Sequence, residues 1–319
     1  YYGTVDATPL FVMLAGHYYD RTGDRALIEE IWPNIERALE WINTYGDIDK
    51  DGFVEYACRA DGGLRNQGWK DSDDSIFHAD GSLAQAPIAL CEVQGYVYEA
   101  KLKASQLAAL LGKKEFSRQL HQEAVFLKKK FEEKFWCEEL GIYAIALDGN
   151  KKRCEIKSSN AGHALFNGIA SKKHAATMVK NLMEETFFSG WGIRTIANSQ
   201  PRYNPMSYHN GTIWPHDNSL IGYGMGRYGY KKEAVKILSA LFEAASHIDL
   251  RRLPELYCGF TRRSGEGPTM YPVACDPQAW ASGSVFLLIQ ACLGITIEAK
   301  ERRITFKEPT LPKEIDTLT

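Results

Sequence analysis

The feature that most constrains the fold is a series of paired helical segments separated by long polar loops. Apolar residues recur at helical spacing in segments joined by tight turns, such as Gly23-Asp24 in the first pair and Gly112 in the second. The predicted helices cover about 6–22, 26–45, 82–111, 113–135, 159–170, 171–183, 215–228, 231–247 and 277–293. Helices joined by short turns form antiparallel hairpins. Strands never alternate singly with helices, which argues against a parallel α/β sheet.

The loops between the helix pairs are unusually long, polar and rich in aromatic residues, which is typical of functional loops. Hairpins packed in a ring collect such loops at one end. We therefore expect a mainly α fold, a toroidal α/α barrel with a mouth, short β-hairpins in its loops and a strand-like tail at about 295–306. A closed barrel of six hairpins needs twelve helices, so nine predict a barrel that is incomplete at the N-terminus. The expected division is a partial catalytic barrel over 1–294 and the start of a β segment over 295–319.

Composition excludes several partners. The formal net charge of −2 and the lack of a long Lys/Arg run argue against nucleic-acid binding. No apolar stretch approaches the roughly 20 residues of a membrane span. The first residue is Tyr and no leader pattern follows, so we take the chain as part of a longer polypeptide and expect an upstream domain.

The cysteines and histidines argue against disulfides and metal sites. The seven cysteines include no CxxC pair and the histidines no HxxxH spacing, so we expect reduced thiols, a cytoplasmic location, no metal and no cofactor. The stretch 47–52 begins like a calcium loop, but Cys58 stands at the twelfth position, where a bidentate Glu is needed. A turn before a strand over 53–56 is the favoured interpretation.

Chemistry concentrates first in residues 66–75, the Asp71 segment. It places Trp69, Lys70 and the carboxylates of Asp71, Asp73 and Asp74 in a predicted loop. A sugar site needs such groups: an indole face for the ring, carboxylates for hydroxyls and one acid for proton transfer. The alternative is a solvated acidic turn anchored by Trp69.

Two further loops match it in character. Residues 207–217, the His209 segment, combine imidazole, amide and indole groups; helix capping by Thr212 or Asp217 is the structural alternative. Residues 253–260, the Glu255 segment, place one carboxylate between Pro254 and apolar residues. One interpretation is that this carboxylate is a catalytic base. The alternative is a buried structural glutamate, which needs ion-pair partners, and four flanking arginines are available for that. These are Arg251, Arg252, Arg262 and Arg263.

Glycosidic hydrolysis requires one protonated acid at the leaving oxygen and one carboxylate opposite, roughly 6.5–9.5 Å apart in an inverting enzyme. Asp71 and Glu255 are the candidates, because loops from distant hairpins meet at a barrel mouth. Lys70 beside Asp71 would lower the pKa of that acid, whereas Asp73 and Asp74 would raise it. The sequence leaves this balance open.

Several stretches together resemble the amylo-α-1,6-glucosidase, or glycogen debranching enzyme, type of glycoside hydrolase, in the wider inverting group on an (α/α)6 barrel. The matching stretches run in the expected order over nearly the whole chain. They are Tyr2 to Phe11, Gln67 to Ser72, Asn160 to His163, His209 to Pro215, Leu253 to Leu256 and Pro277 to Ala281. The resemblance implies Asp71 as general acid and Glu255 as general base. It further implies a sugar subsite lined by Asp6, Gln67, Trp69, Lys70, His209, Asn210, Trp214 and Trp280.

The expected substrate is an oligosaccharide or a small glycoside, from which a terminal α-linked, glucose-type sugar is removed. Related barrels act on glucosides, trehalose, mannosylglycerate or sucrose, and fold alone does not choose among them. A hydrolase of glucosyl- or mannosyl-glycerate is therefore one alternative. A non-catalytic carbohydrate-binding barrel is another, against which the presence of both carboxylates weighs.

Overall fold

A computed structural model describes residues 3–313 and 315, and this part of the chain contains nine α-helices and six short strands. The helices are α1 (Ala7–Thr22), α2 (Arg25–Thr44), α3 (Cys91–Leu110), α4 (Lys114–Phe135), α5 (His163–Phe166), α6 (Lys172–Leu182), α7 (Pro215–Arg227), α8 (Lys231–Ser246) and α9 (Ala279–Leu293). The strands are β1 (Ala89–Leu90), β2 (Trp136–Cys137), β3 (Ile142–Tyr143), β4 (Ala146–Leu147), β5 (Ile295–Glu298) and β6 (Arg303–Phe306). They form three antiparallel pairs: β1 with β4, β2 with β3 and β5 with β6. The end of the predicted β segment, residues 316–319, lies outside the described residues.

The helices form two layers. The inner layer is the series α1, α3, α5, α7 and α9, in which successive helices contact each other, and most of the α3 surface is buried. Outer helices bury only one stripe, as α2 does with residues at helical spacing. These are Ile28, Trp32, Ile35, Leu39 and Ile42. The predicted helical hairpins and short β-hairpins are therefore present.

Helix α3 begins at Cys91, so the prediction of a helix over 82–111 is wrong for its first turns. Pro87 lacks the amide that a helix interior requires. Ile88 instead forms an antiparallel bridge with Tyr56, and β1 pairs with β4. Extended pairing therefore precedes α3.

The helix predicted over 159–170 is also shorter. A 3-10 turn over Ser159–Gly162 leads into the single turn of α5. Gly168 then adopts φ +81°, the left-handed conformation that commonly ends a helix. Ser158 and Ser159, at the start of this turn, accept hydrogen bonds from the Lys70 ammonium group of the Asp71 segment.

The strand predicted over 53–56 is not formed, apart from the single bridge at Tyr56. The Gln94 side chain replaces the missing partner strand at Val54. Its Oε1 accepts from the Val54 amide at 2.9 Å and its Nε2 donates to the Val54 carbonyl at 2.7 Å. A buried backbone needs hydrogen bonds, but a side chain can supply them.

All seven cysteines are free, and all lie in the described ranges; only Cys58 and Cys275 are exposed. No helix in the part of the chain that the structure covers has the length and apolarity needed to cross a membrane. Large apolar side chains are exposed on several helices. They include Leu14 on α1, Phe242 on α8 and Phe286 on α9.

Candidate active site

Single-residue bridges align the mouth loops side by side. Arg194 pairs with Ile213, Ile213 with Tyr257, and Tyr257 with Met270, all antiparallel. The Ile213 and Tyr257 amides donate to each other's carbonyls at 2.9 and 3.0 Å. This ladder places the His209 segment beside the Glu255 segment, although about forty residues separate them in sequence.

A close backbone approach requires glycine where these two segments meet. A Cβ at Gly259 would lie 1.6 Å from the Gly211 carbonyl oxygen, which no side chain can tolerate. The Gly259 carbonyl accepts from the buried Arg194 guanidinium at 2.6 Å and from the Tyr203 hydroxyl at 3.1 Å. The junction therefore fixes the spacing of the two segments through backbone contacts.

Asp71 lies at the cavity with little restraint on its own carboxyl group. The side chain is 51% exposed, and within the described chain its nearest basic group is His209, with Nδ1 3.9 Å from Asp71 Oδ1. Burial raises its pKa, and the negative charge of Glu255 raises it further, against a hydrogen bond from its own backbone amide. A carboxyl with a raised pKa suits a proton donor.

The Glu255 carboxylate, by contrast, is held by two hydrogen-bond donors. The Tyr208 hydroxyl donates to its Oε1 at 2.6 Å and the Cys275 amide to its Oε2 at 3.1 Å. Burial alone would raise the pKa of Glu255, but these hydrogen bonds to the charged form outweigh it and leave that pKa below its usual value. The four neighbouring arginines provide none of these contacts.

Tyr208 and His209 connect the two carboxyl groups. Their rings lie 4.7 Å apart, and Ser72 Oγ, next to Asp71, lies 2.7 Å from His209 Nδ1. The charges of Glu255 and Asp71 both act to raise the pKa of Tyr208, after burial and the Glu255 hydrogen bond. The structure thus brings the two predicted catalytic residues into one electrostatic neighbourhood.

A cavity of about 520 Å³ opens beside Asp71, and its lining combines aromatic and imidazole rings with aliphatic side chains. Among its lining residues are Asp6, Trp69, Tyr96, His163, His216 and Trp280. Trp280 stacks on His216 with ring centroids 3.9 Å apart, and Trp69 stacks on His163 at 5.9 Å. Flat ring faces with a carboxyl at one side form a surface suited to an uncharged, polyhydroxylated ligand.

Two buried histidines here, His209 and His216, have pKa values far below the ordinary range. Burial, together with the nearby Lys70 charge, lowers the pKa of His209 to about 3 and that of His216 to about 3. Several buried polar atoms here have no protein partner within the described residues: Trp69 Nε1, His209 Nε2, Asn210 Oδ1 and His216 Nδ1. Buried polar atoms are normally satisfied, and of these four residues Trp69 and His216 line the cavity.

Of the residues predicted to line a sugar subsite, Asp6, Trp69 and Trp280 line the cavity. His209 and Asn210 are buried beside it, and the Asn210 amide donates to the Asp74 carbonyl at 3.1 Å. Gln67 lines an adjoining groove that shares Thr4 and Leu64 with the cavity.

Trp214 and Lys70 occupy positions behind the wall. Trp214 is 1% exposed and its indole N–H donates to the Tyr208 carbonyl at 3.0 Å. Lys70 is 1% exposed and its ammonium group points to backbone and hydroxyl oxygens instead of the cavity. The sequence left open whether Lys70 lowers the pKa of Asp71, and in the structure Lys70 is not among the groups that shift it.

Other residues of the site were not predicted from the sequence. Asp217, a candidate helix cap, instead lies 2.7 Å from His163 Nε2, and Tyr96 Oη lies 2.7 Å from His163 Nδ1. Tyr208 holds Glu255. The His209 segment contains Asp217 and Tyr208, but no sequence signal pointed to Tyr96. The two pairings with His163 join residues 54 and 67 positions apart.

One carboxylate cluster could be considered for a metal. The oxygens of Asp47, Asp49, Asp51 and Glu55 lie within 4.8 Å of one another in the described chain. The Lys151 ammonium contacts Asp49 at 2.7 Å, Asp51 at 3.1 Å and Glu55 at 2.7 Å, and so supplies a positive charge there.

Comparison with known proteins identifies the fold. Similar solved structures include a sialidase, with 14% identity and a TM-score of 0.68 over 89% of this chain and 26% of that one. The GH63 mannosylglycerate hydrolase from Thermus thermophilus in complex with glucose has 16% identity and a TM-score of 0.66 over 89% of this chain and 75% of that one. The neutral trehalase of Saccharomyces cerevisiae has 17% identity and a TM-score of 0.52 over 72% of this chain and 41% of that one.

These similarities confirm the predicted (α/α)6 glycoside hydrolase fold. The chain spans about a quarter of the sialidase and three quarters of the mannosylglycerate hydrolase. The model of the mannosylglycerate hydrolase MGH1-like glycoside hydrolase domain matches residues 4–267. Because this match covers most of the 319 residues, the chain belongs to the family of mannosylglycerate hydrolase MGH1-like glycoside hydrolase domains.

Proposed function

We propose that this domain removes a terminal α-linked hexose from a glycoside with inversion at the anomeric carbon. Asp71 is the general acid and Glu255 the general base. The observation that carries the proposal is that the environments of the two carboxyl groups act on their protonation in opposite directions. Burial and a like charge favour the protonated form of Asp71, whereas two hydrogen bonds favour the ionised form of Glu255.

In the proposed reaction, the Glu255 carboxylate takes a proton from a water molecule as the water oxygen attacks the anomeric carbon. The bond to the leaving oxygen breaks in the same step, and that oxygen receives the Asp71 proton. Asp71 ends ionised and Glu255 protonated, and exchange with solvent restores both. The stacked rings of Trp280 and His216 would hold the sugar, and the unpartnered buried atoms would bind its hydroxyl groups.

The substrate proposed first is a glucose-type α-glycoside, as the debranching enzyme resemblance implies. A second candidate is a small hexosyl glycerate. The family match over residues 4–267 favours that second candidate, since the matching model is named for mannosylglycerate hydrolase. A cytoplasmic location and an upstream domain of the same polypeptide remain predictions of the sequence.

The test is a hydrolysis screen followed by the stereochemistry of the product. Full-length protein is incubated with mannosylglycerate, glucosylglycerate, trehalose, sucrose and an α-1,6-linked glucose disaccharide, and proton NMR follows the anomeric signals of the best substrate. The β-anomer of the released sugar should appear first and the α-anomer only later, by mutarotation. An α-anomer formed first would contradict the single displacement, because retention requires a covalent intermediate.

A further inference from the structure

Lys70 immediately precedes the proposed acid, yet its side chain lies in the protein interior. The ammonium group donates to the Thr195 carbonyl at 2.7 Å, to Ser158 Oγ at 3.0 Å and to Ser159 Oγ at 3.4 Å. Nζ also lies 5.0 Å from the centroid of a Trp69 ring, and Lys70 is 1% exposed. Its acceptors are all neutral oxygens.

A buried lysine without a contacting carboxylate is unusual. Among the described residues, Lys70 makes no ion pair within 4.0 Å, although the carboxylates of Glu92 and Asp217 act on it electrostatically from farther away. Burial lowers the pKa of Lys70 to about 8, so the group is mostly charged at neutral pH. An apolar side chain of similar length would avoid the cost of burying this charge. The lysine must therefore provide something that packing alone does not.

The acceptors show what Lys70 connects. Ser158 and Thr195 belong to two segments that pair with each other, since the Ser159 amide donates to the Thr195 carbonyl at 3.0 Å. The Thr195 amide in turn donates to the Thr212 carbonyl, in the His209 segment, at 2.9 Å. The next residue, Ile213, pairs with Tyr257, two residues from Glu255. One lysine thus fastens the Asp71 segment to the backbone ladder that carries Glu255.

We propose that Lys70 is a positioning residue that fixes the placement of Asp71 relative to Glu255 and the sugar, from behind Trp69. This inference rests on the proposed role of Asp71. It replaces the direct sugar contact that the family resemblance implied for Lys70. A positioning role predicts a loss in kcat, because a misplaced acid slows the chemical step while the cavity lining stays intact.

The test compares Lys70→Met in the full-length protein with wild type on two substrates of one sugar. One is the best natural glycoside of the screen, and the other is the corresponding α-glycosyl fluoride, whose leaving group needs little protonation. We expect kcat for the glycoside to fall roughly ten- to a hundredfold, with KM nearly unchanged and a smaller loss on the fluoride. Ser158→Ala should give a weaker form of the same pattern and serves if Lys70→Met does not fold.

Lys101→Met is the matched control. Lys101 is also buried, but it contacts Asn43 and Glu123 between helices, away from the cavity. Lys101→Met should lower the melting temperature. Its activity on the glycoside relative to the fluoride should match that of wild type. The proposal would be overturned if kcat of Lys70→Met were unchanged. It would also be overturned if KM rose and kcat fell equally on both substrates, or if Lys101→Met showed the same loss of kcat. Asp71→Asn, measured in parallel, tests the proposed function separately from the role of Lys70.

Discussion

The Asp71 segment and the Glu255 segment each hold one carboxyl group of the proposed catalytic pair, but they restrain it differently. The Asp71 backbone is anchored on either side, by Lys70 and by Asn66, whose amide donates to the Ser72 carbonyl at 2.8 Å, while its carboxyl group is half exposed. The Glu255 carboxylate is itself clamped by Tyr208 and the Cys275 amide.

The difference matches what the two roles require. An acid must meet the leaving oxygen of a bound substrate, so its backbone is fixed and its side chain is left available. A base must stay ionised and hold one water molecule in line, so its carboxylate is fixed by donors. The environment, and not the residue type, separates the two carboxyl groups.

The largest expected effect comes from removing either carboxyl group. Asp71→Asn and Glu255→Gln should each lower kcat on the best glycoside by roughly 10²- to 10⁴-fold. Both replacements are nearly isosteric, and the Tyr208 hydroxyl can still donate to a glutamine oxygen, so melting temperatures should change little. Asp73→Asn, an exposed neighbour in the same segment, is the control and should keep wild-type kcat. Wild-type rates in either main variant would break the assignment.

Alkylation of Cys275 should have the next largest effect. This exposed residue lies against Glu255, and its thiol as well as its amide helps to lower the Glu255 pKa. Iodoacetamide would place a bulky group beside the base, so most of the activity should be lost as Cys275 is labelled. Cys275→Ser should resist the treatment, whereas Cys58→Ser, which removes the other exposed thiol, should remain sensitive. Full activity of protein labelled at Cys275 would show that the base is approached from another side.

Tyr208→Phe should have a smaller effect that appears mainly at acid pH. The lost hydrogen bond favours the ionised form of Glu255, so the Glu255 pKa should rise towards its ordinary value. More of the base is then protonated at low pH, and the acid limb of the kcat profile should move to higher pH. Tyr203→Phe, which loses a bond to the Gly259 carbonyl instead, should leave that limb in place. An unmoved acid limb in Tyr208→Phe would mean that another group controls it.

Much of the fold could be predicted from local pattern. Helix α8 lies within one residue of its predicted bounds, because its apolar stripe and flanking turns are local signals. The predicted start of α3 was wrong because the residues around Ile88 follow a helical pattern, whereas Ile88 forms an antiparallel bridge with Tyr56. The strand predicted at Val54 is not formed, because Gln94, forty residues away, takes over the backbone hydrogen bonds that a partner strand would make.

The site could be predicted only where chemistry shows in sequence. Asp71, Trp69 and Glu255 stood out because loops rarely need such groups for packing. The direction in which a side chain points has no local signal, and so Lys70 and Trp214 looked like ligand contacts although the structure buries both. Pairings such as His163 with Asp217 depend on the tertiary fold and left no trace in spacing.

The most direct test of the roles of Asp71 and Glu255 is how the hydrolysis rates of Asp71→Asn and Glu255→Gln depend on the leaving group. Wild type, Asp71→Asn and Glu255→Gln are compared on an α-glycosyl fluoride and on the natural glycoside of the same sugar. Asp71→Asn should keep much of its rate on the fluoride, which needs little proton donation, while Glu255→Gln should be slow on both substrates. Equal losses of Asp71→Asn on both substrates would contradict the assignment of Asp71 as the acid.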